Sequence, residues 1–156
     1  MKYYIIAGEA SGDLHASNLM KYLKKFDDKS DFRIWGGEKM ESYGGKLVKH
    51  YKELAFMGFL EVFLNLNTII KNINFCKKDI LQYEPNVVIL VDYPGFNLRI
   101  AKFLKNKNIK VVYYISPQIW AWKESRINII KRCVDKMIVI LPFEEKFYND
   151  RNYKVD

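Results

Sequence analysis

Asp92 directly follows Val87–Val91, an uninterrupted apolar run, and opens the segment Asp92-Tyr93-Pro94-Gly95-Phe96-Asn97. A carboxylate at the mouth of a buried strand is partly desolvated, which raises its pKa and makes it a better proton acceptor. The competing reading is a turn-closing Asp held by an Asx bond. Asn97 is placed to cap the next helix or to bond a substrate hydroxyl.

Gly8-Glu9-Ala10-Ser11-Gly12-Asp13 joins a short apolar run to a helical pattern. Backbone amides at a helix N-terminus attract anions, and the glycines let a ligand approach the backbone. The acidic pair Glu9 and Asp13 repels a phosphate unless turned away or bonded to sugar hydroxyls. The plain alternative is a βα turn with Asp13 at the N-cap or in the first turn. The spacing is not G-x-G-x-x-G and no Walker Lys-Ser/Thr follows, which disfavours a dinucleotide or ATP site.

A third segment is Ser116-Pro117-Gln118-Ile119-Trp120-Ala121-Trp122-Lys123. Two tryptophans on a loop are costly to expose, so they pack on the core or line a sugar or acyl surface. Lys123 and Arg126 fall near a helix N-terminus, where the dipole does not favour cations, and this suggests a bound anion. The rival is a solvated basic face. A fourth segment, Leu54 to Leu64, holds Phe56, Met57, Phe59, Leu60 and Phe63 on more than one helical face. The excess suits a membrane surface or an acyl chain, against a wholly buried helix. His15 reads as a first-turn helix residue and His50 as surface. Asp27, Asp28 and Asp31 read as a solvated turn. Cys76 and Cys133 form no C-x-x-C, and no metal site is expected.

The elements that must position these loops alternate. Lys2–Ala7, Asp31–Trp35, a stretch near Lys46–Val48, Val87–Val91, Lys110–Ile115 and Lys136–Leu141 read as strands. A helix is expected over Asp13–Phe26 with Leu14, Leu19, Tyr22, Leu23 and Phe26 inward. Residues 38–52 admit a short helix before their strand. Phe59–Tyr83 is helical in period, with Phe59, Val62, Phe63, Leu66, Ile69, Ile70 and Ile73 on one face and a junction of two helices near Phe75. Further helices are expected after Asn97, over Lys123–Val134 and from Glu144. Tyr153–Asp156 looks like the start of another strand. The pattern implies an α/β doubly wound parallel sheet, with ligands at the carboxyl ends of the strands.

The 156 residues suit one domain. Lys and Arg number 26 against 18 Asp and Glu, a net charge of +8 that favours anionic partners: nucleic acid, anionic lipid or a phosphorylated substrate. Nothing resembles a recognition helix or an RNP motif, and no nucleic-acid partner is expected. The absence of a signal-like segment or an apolar stretch of spanning length leads to a cytoplasmic expectation, with contact to a membrane surface.

Taken together, Gly8-Glu9-Ala10-Ser11-Gly12-Asp13, Glu53-Leu54-Ala55-Phe56-Met57-Gly58, Asp92-Tyr93-Pro94-Gly95-Phe96-Asn97, Ser116 to Trp122 and Leu141-Pro142-Phe143-Glu144 resemble the lipid A disaccharide synthases, in order and spacing from Met1 onward. The resemblance implies an inverting GT-B glycosyltransferase built from two Rossmann-like domains. Such an enzyme joins UDP-2,3-diacylglucosamine to 2,3-diacylglucosamine 1-phosphate (lipid X), without metal or cofactor, at the inner face of the inner membrane of Gram-negative bacteria. Residues 1–156 then correspond to the acceptor-side domain. The UDP-sugar domain lies outside the chain, and no turnover is expected from it alone. By position Asp92 is the general base. Gly8, Glu9, Ser11, Gly12, Asp13, Asn97, Ser116, Trp120, Lys123 and Arg126 are expected at substrate, with Ser11, Gly12 and Lys123 or Arg126 around the lipid X phosphate. Phe56, Met57, Phe59, Leu60 and Phe63 are expected at acyl chains or membrane. The open alternatives are another GT-B enzyme with a membrane acceptor and an inactive lipid-binding fragment.

Overall fold

The computed structural model describes residues 1–54 and 66–156. Strands β1 (Lys2–Ala7), β2 (Asp31–Gly36), β3 (Gly45–His50), β4 (Val87–Val91), β5 (Lys110–Tyr114) and β6 (Lys136–Ile138) form one parallel sheet. Their order is β3-β2-β1-β4-β5-β6. The order reverses between β1 and β4, where Tyr3 pairs with Val87 and Ala7 with Val91. That crevice at the carboxyl ends is where an open α/β sheet binds its ligands.

Both faces of the sheet are covered. Tyr3, Ile5, Ala7, Phe32, Ile34, Ile89 and Val91 point to one core, with Ala16 and Met20 of α1 (Ala10–Phe26) and Met40 of α2 (Glu38–Ser42). Tyr4, Ile6, Trp35, Val88, Leu90 and Tyr113 point to the other, as the period of two requires. There they meet α3 (Leu66–Tyr83), α4 (Pro94–Leu104), α5 (Ile119–Trp122), α6 (Ile127–Cys133) and α7 (Pro142–Asn149). Burial on both sides explains why β4 is apolar throughout.

Several elements depart from the sequence reading. Helix α1 begins at Ala10 with Glu9 as N-cap. Its fully buried residues are Gly12, Asp13, Ala16, Ser17 and Met20; of the residues expected inward, Leu19 and Leu23 pack on the core, while Leu14, Tyr22 and Phe26 are exposed, Phe26 at 89%. Small residues let the helix lie close to the sheet: a methyl on Gly12 would stand 3.2 Å from the Ala7 Cβ. Helix α3 is continuous through Phe75 and buries Asn72, Ile73, Cys76, Asp79 and Ile80, with Leu66 and Ile70 exposed. Phe59, Val62 and Phe63 lie outside the described residues. The helix expected over Lys123–Val134 is a 3-10 turn, Glu124–Arg126, followed by α6. Strand β5 stops one residue early because Ile115 turns left-handed at φ +66°. Strand β6 ends at Ile138, three residues short of the expected Leu141. At the β6 edge the Asp156 amide donates to Met137 and the Asp156 carbonyl accepts from Val139, so this residue lies alongside β6.

A polar network ties β1, β2 and α3 together within the apolar interior. The Trp35 indole donates to the Tyr4 hydroxyl at 2.6 Å, and that hydroxyl donates to Asp79 at 2.7 Å. Arg33 closes the set with two bonds to the same carboxylate, 2.8 and 2.5 Å. The network leaves Asp79 accepting from a cation and a hydroxyl, the condition under which a buried carboxylate is tolerated. His50, expected at the surface, is half-buried with its Nε2 3.2 Å from Glu38.

Candidate active site at the switch crevice

Asp92 sits at the end of β4, beside the end of β1. It and Tyr93 are consecutive non-glycine residues in the left-handed region, at φ +42° and +46°. Such backbone costs about 1–3 kcal/mol per residue and persists only where its surroundings enforce it. Three contacts do so. The Asp92 carbonyl accepts from the Asn97 amide at 2.8 Å and from the Tyr113 hydroxyl at 2.5 Å. Tyr93, the N-cap of α4, donates its hydroxyl to the Leu54 carbonyl at 3.1 Å. Its ring fills the space where a side chain on Gly8 would stand. Gly8 is thus required by the close approach of the two central loops, not by its own dihedral angles.

The Asp92 carboxyl is half-buried and pushed up to about 6, first by burial and then by the negative charge of Glu9, with Glu144 contributing less. Glu9 itself is exposed at the start of α1. Glu144 is almost fully buried and accepts from the amides of Ile140 and Leu141, closing the N-terminus of α7. The charges of Glu9, at the start of α1, and of Glu144, in the first turn of α7, thus both act on Asp92 at the end of β4. Among the described residues no group of three or more His, Cys, Asp or Glu is placed to hold a metal ion.

The remaining expected site residues divide. Ser11 is exposed on the first turn of α1. Gly12 faces the sheet, against Ala7 and Val91. Asp13 is buried beneath α1, and its two oxygens accept from the amides of Gly37, Lys39 and Met40 at 2.7, 3.1 and 3.2 Å. It caps α2, a neighbouring helix, and not its own. Asn97 is fully buried, and its amide is spent on the Val91 and Asp92 carbonyls. The Ser116 hydroxyl is buried against Tyr148 at 2.7 Å. Trp120 is 39% exposed and meets the half-exposed Phe143 edge-on at 5.0 Å between centroids. Lys123 is exposed. Arg126 is half-buried at the end of the 3-10 turn. Phe56, Met57, Phe59, Leu60 and Phe63 lie outside the described residues.

Tyr113 and Glu144 were missed as neighbours of the site. For Glu144 a signal existed: Pro142 at the first helical turn and a Glu two residues on mark a helix start. Tyr113 carries no local signal, because its role depends on β5 lying beside β4.

The sheet order and the crevice define the class: a Rossmann-like α/β domain. UDP-GlcNAc 2-epimerase from Neisseria meningitidis, solved with bound UDP-GlcNAc, shares the fold at a TM-score of 0.67 and 12% identity, over 99% of this chain and 45% of that one. A second structure, a putative UDP-N-acetylglucosamine 2-epimerase from Listeria monocytogenes, matches at a TM-score of 0.62 and 10% identity, over 88% of this chain and 38% of that one.

The sequence is more particular. The family model for lipid-A-disaccharide synthetase matches residues 3–156, and the chain belongs to that family. The lipid-A-disaccharide synthase of Trichlorobacter lovleyi is 42% identical over 97% of this chain and 39% of its own length. That of Geobacter metallireducens is 44% identical over 92% of this chain and 38% of its own. Lipid-A-disaccharide synthase 1 of Legionella pneumophila is 43% identical over 97% and 40%. The chain thus spans about two fifths of the length of these relatives and matches their N-terminal part.

Proposed function

We propose that this chain is the acceptor-side domain of an inverting glycosyltransferase of lipid A biosynthesis. The reaction joins UDP-2,3-diacylglucosamine to lipid X, forming a β-1,6-linked disaccharide 1-phosphate and UDP. The observation that carries the proposal is Asp92: a half-buried carboxyl with a pKa near 6, on an enforced turn at the switch crevice. The acceptor 6-hydroxyl must lose a proton as its oxygen attacks C1 of the donor sugar. The Asp92 carboxylate accepts that proton while the C1–O bond to UDP breaks and the diphosphate leaves with the electron pair. A pKa near 6 leaves the carboxylate ionised at neutral pH yet more basic than an ordinary aspartate.

Ser11 on the first turn of α1, with Lys123 or Arg126, binds the lipid X phosphate in this reading, aided by the helix dipole. Gly12 supports this arrangement only by packing α1 on the sheet. Glu9 and Trp120 flank the sugars from the loops after β1 and β5. We assign the UDP half of the site to the part of the relatives' length that this chain does not cover, and no metal or cofactor is invoked.

The membrane is the second partner. Helices α3, α4 and α6 carry a single carboxylate, Asp79, which is buried and paired with Arg33. Their exposed cations include Lys71, Lys78, Arg99, Lys102, Lys131 and Arg132, and Leu66, Ile70 and Phe75 are exposed on α3. Cations interleaved with apolar side chains suit the anionic inner face of the inner membrane. Among the described residues no helix is long and apolar enough to cross it.

The deciding experiment is UDP release from UDP-2,3-diacylglucosamine, with and without lipid X, by the full-length gene product and by its Asp92→Asn variant. Release that requires lipid X and falls by about 10²- to 10⁴-fold in the variant is the expected outcome. Release from neither protein overturns the reading. Lipid X binding by residues 1–156 without turnover is expected of the domain by itself.

A further inference from the structure

We propose that Tyr113 is a positioning residue for Asp92: its buried hydroxyl clasps the Asp92 carbonyl and holds the left-handed turn that presents the carboxylate to the crevice. The inference rests on Asp92 as the proton acceptor and extends it to the strand next door.

The clasp follows from how the ladder ends. Strands β4 and β5 pair in register through Val91 and Tyr114, and the Asp92 amide still donates to the Tyr114 carbonyl at 3.2 Å. In a continued parallel ladder the Asp92 carbonyl would accept from the next free amide of β5, that of Ser116. Ile115 turns left-handed instead, and its amide goes to the Ile138 carbonyl of β6. The Asp92 carbonyl is left without a strand partner at a half-buried position, where an unpaired acceptor is costly. Two side chains take the vacated bond, the Asn97 amide from α4 and the Tyr113 hydroxyl from β5. Both residues are fully buried. Tyr113 is the donor that comes from outside the turn, so it fixes the turn relative to the sheet. Asn97, five residues on, moves with α4. Without the hydroxyl the peptide after Asp92 is free to rotate, and the carboxylate moves with it.

The test is Tyr113→Phe in the full-length gene product, a change that removes one oxygen and keeps the ring. Three quantities are read: kcat and KM for lipid X and for the UDP-sugar, the acid limb of the pH–rate profile, and the Asp92 carboxyl titration by carbon NMR. We expect kcat to fall roughly 10- to 100-fold with both KM values within about twofold, as for a displaced catalytic group. We expect the acid limb and the Asp92 titration to move down together, as the released carboxyl gains water. An unmoved titration with unchanged kcat overturns the clasp, and so does a drop in thermal stability with the pH profile in place. If the parent protein releases no UDP, the transferase reading fails. The titration then decides the clasp by itself, supporting it if it moves and refuting it if it does not. Should Tyr113→Phe not fold, Asn97→Leu removes the other donor and is expected to shift the same quantities in the same direction; no shift there refutes the clasp.

Discussion

Asp92 shows how a residue's surroundings set its chemistry against its stability. Its folded pKa, near 6, lies above the unfolded value of an ordinary aspartate, so the folded protein binds this proton more tightly. Stability from this group is therefore greatest at low pH and falls as pH rises between about 4 and 6. Activity has the opposite sign, because the base must be ionised: turnover is expected to rise through pH 6. Asp92→Asn removes the buried charge. The variant is expected to be slowed by about 10²- to 10⁴-fold yet to melt above the parent at pH 8, with the gap narrowing as pH falls toward 4. Melting curves at both pH values check this, and a variant less stable than the parent at pH 8 contradicts it. The candidate base was legible in the sequence because a long apolar run ends on it. The fates of Asp13, Asn97 and Ser116 were not. Each is polar and close in sequence to a loop that faces ligand, but which backbone groups it reaches depends on strands and helices far along the chain.

At the scale of elements, periodicity found the strands and most helices, but of the five α1 residues it set inward only Leu19 and Leu23 pack on the core. Leu14, Tyr22 and Phe26 outweigh Gly12, Ala16 and Ser17 in hydrophobicity, yet the small residues face the sheet. Close packing, not apolar content, decides that contact. The Arg33–Asp79–Tyr4–Trp35 network was equally invisible, since its members lie on three elements. Its removal is expected to be expensive. Asp79→Ala leaves the Arg33 guanidinium and the Tyr4 hydroxyl without an acceptor at a 7% exposed position. About 3 kcal/mol is expected, at the low end for a broken buried pair because the guanidinium is one-third exposed. Urea denaturation measures it, and a loss below about 1 kcal/mol would show that water replaces the carboxylate.

At the scale of the whole molecule, the two helix layers differ in charge. Helices α1 and α2 mix signs, with Lys21, Lys24, Lys25 and Lys39 against Glu38 and Glu41. In the other layer α3, α4 and α6 expose cations alone, and α7 exposes Glu145 beside Lys146. The net charge of +8 pointed to an anionic partner, but only the fold shows that α3, α4 and α6, free of exposed carboxylates, lie on the same face of the sheet. Retention on vesicles with anionic lipid is expected to exceed that on neutral vesicles and to fall as salt rises from 0.05 to 0.5 M, roughly as the Debye length shortens. Lys102→Glu with Arg132→Glu is expected to abolish the difference between the two lipids. Retention indifferent to both salt and charge reversal removes this face from consideration.

The pairing of β1 with β4 has a kinetic consequence. Tyr3 lies beside Val87, 84 positions away along the chain, and the crevice exists only where these two strands meet. Closing so long a loop costs entropy before any contact rewards it, which makes central parallel pairing a slow step in folding. The β1–α1–β2 and β4–α4–β5 units are each local. The seam between them brings Gly8 against Tyr93 and Glu9 within reach of Asp92. The crevice is thus assembled at the step that joins the two halves of the sheet, and a chain arrested before it has no site at all.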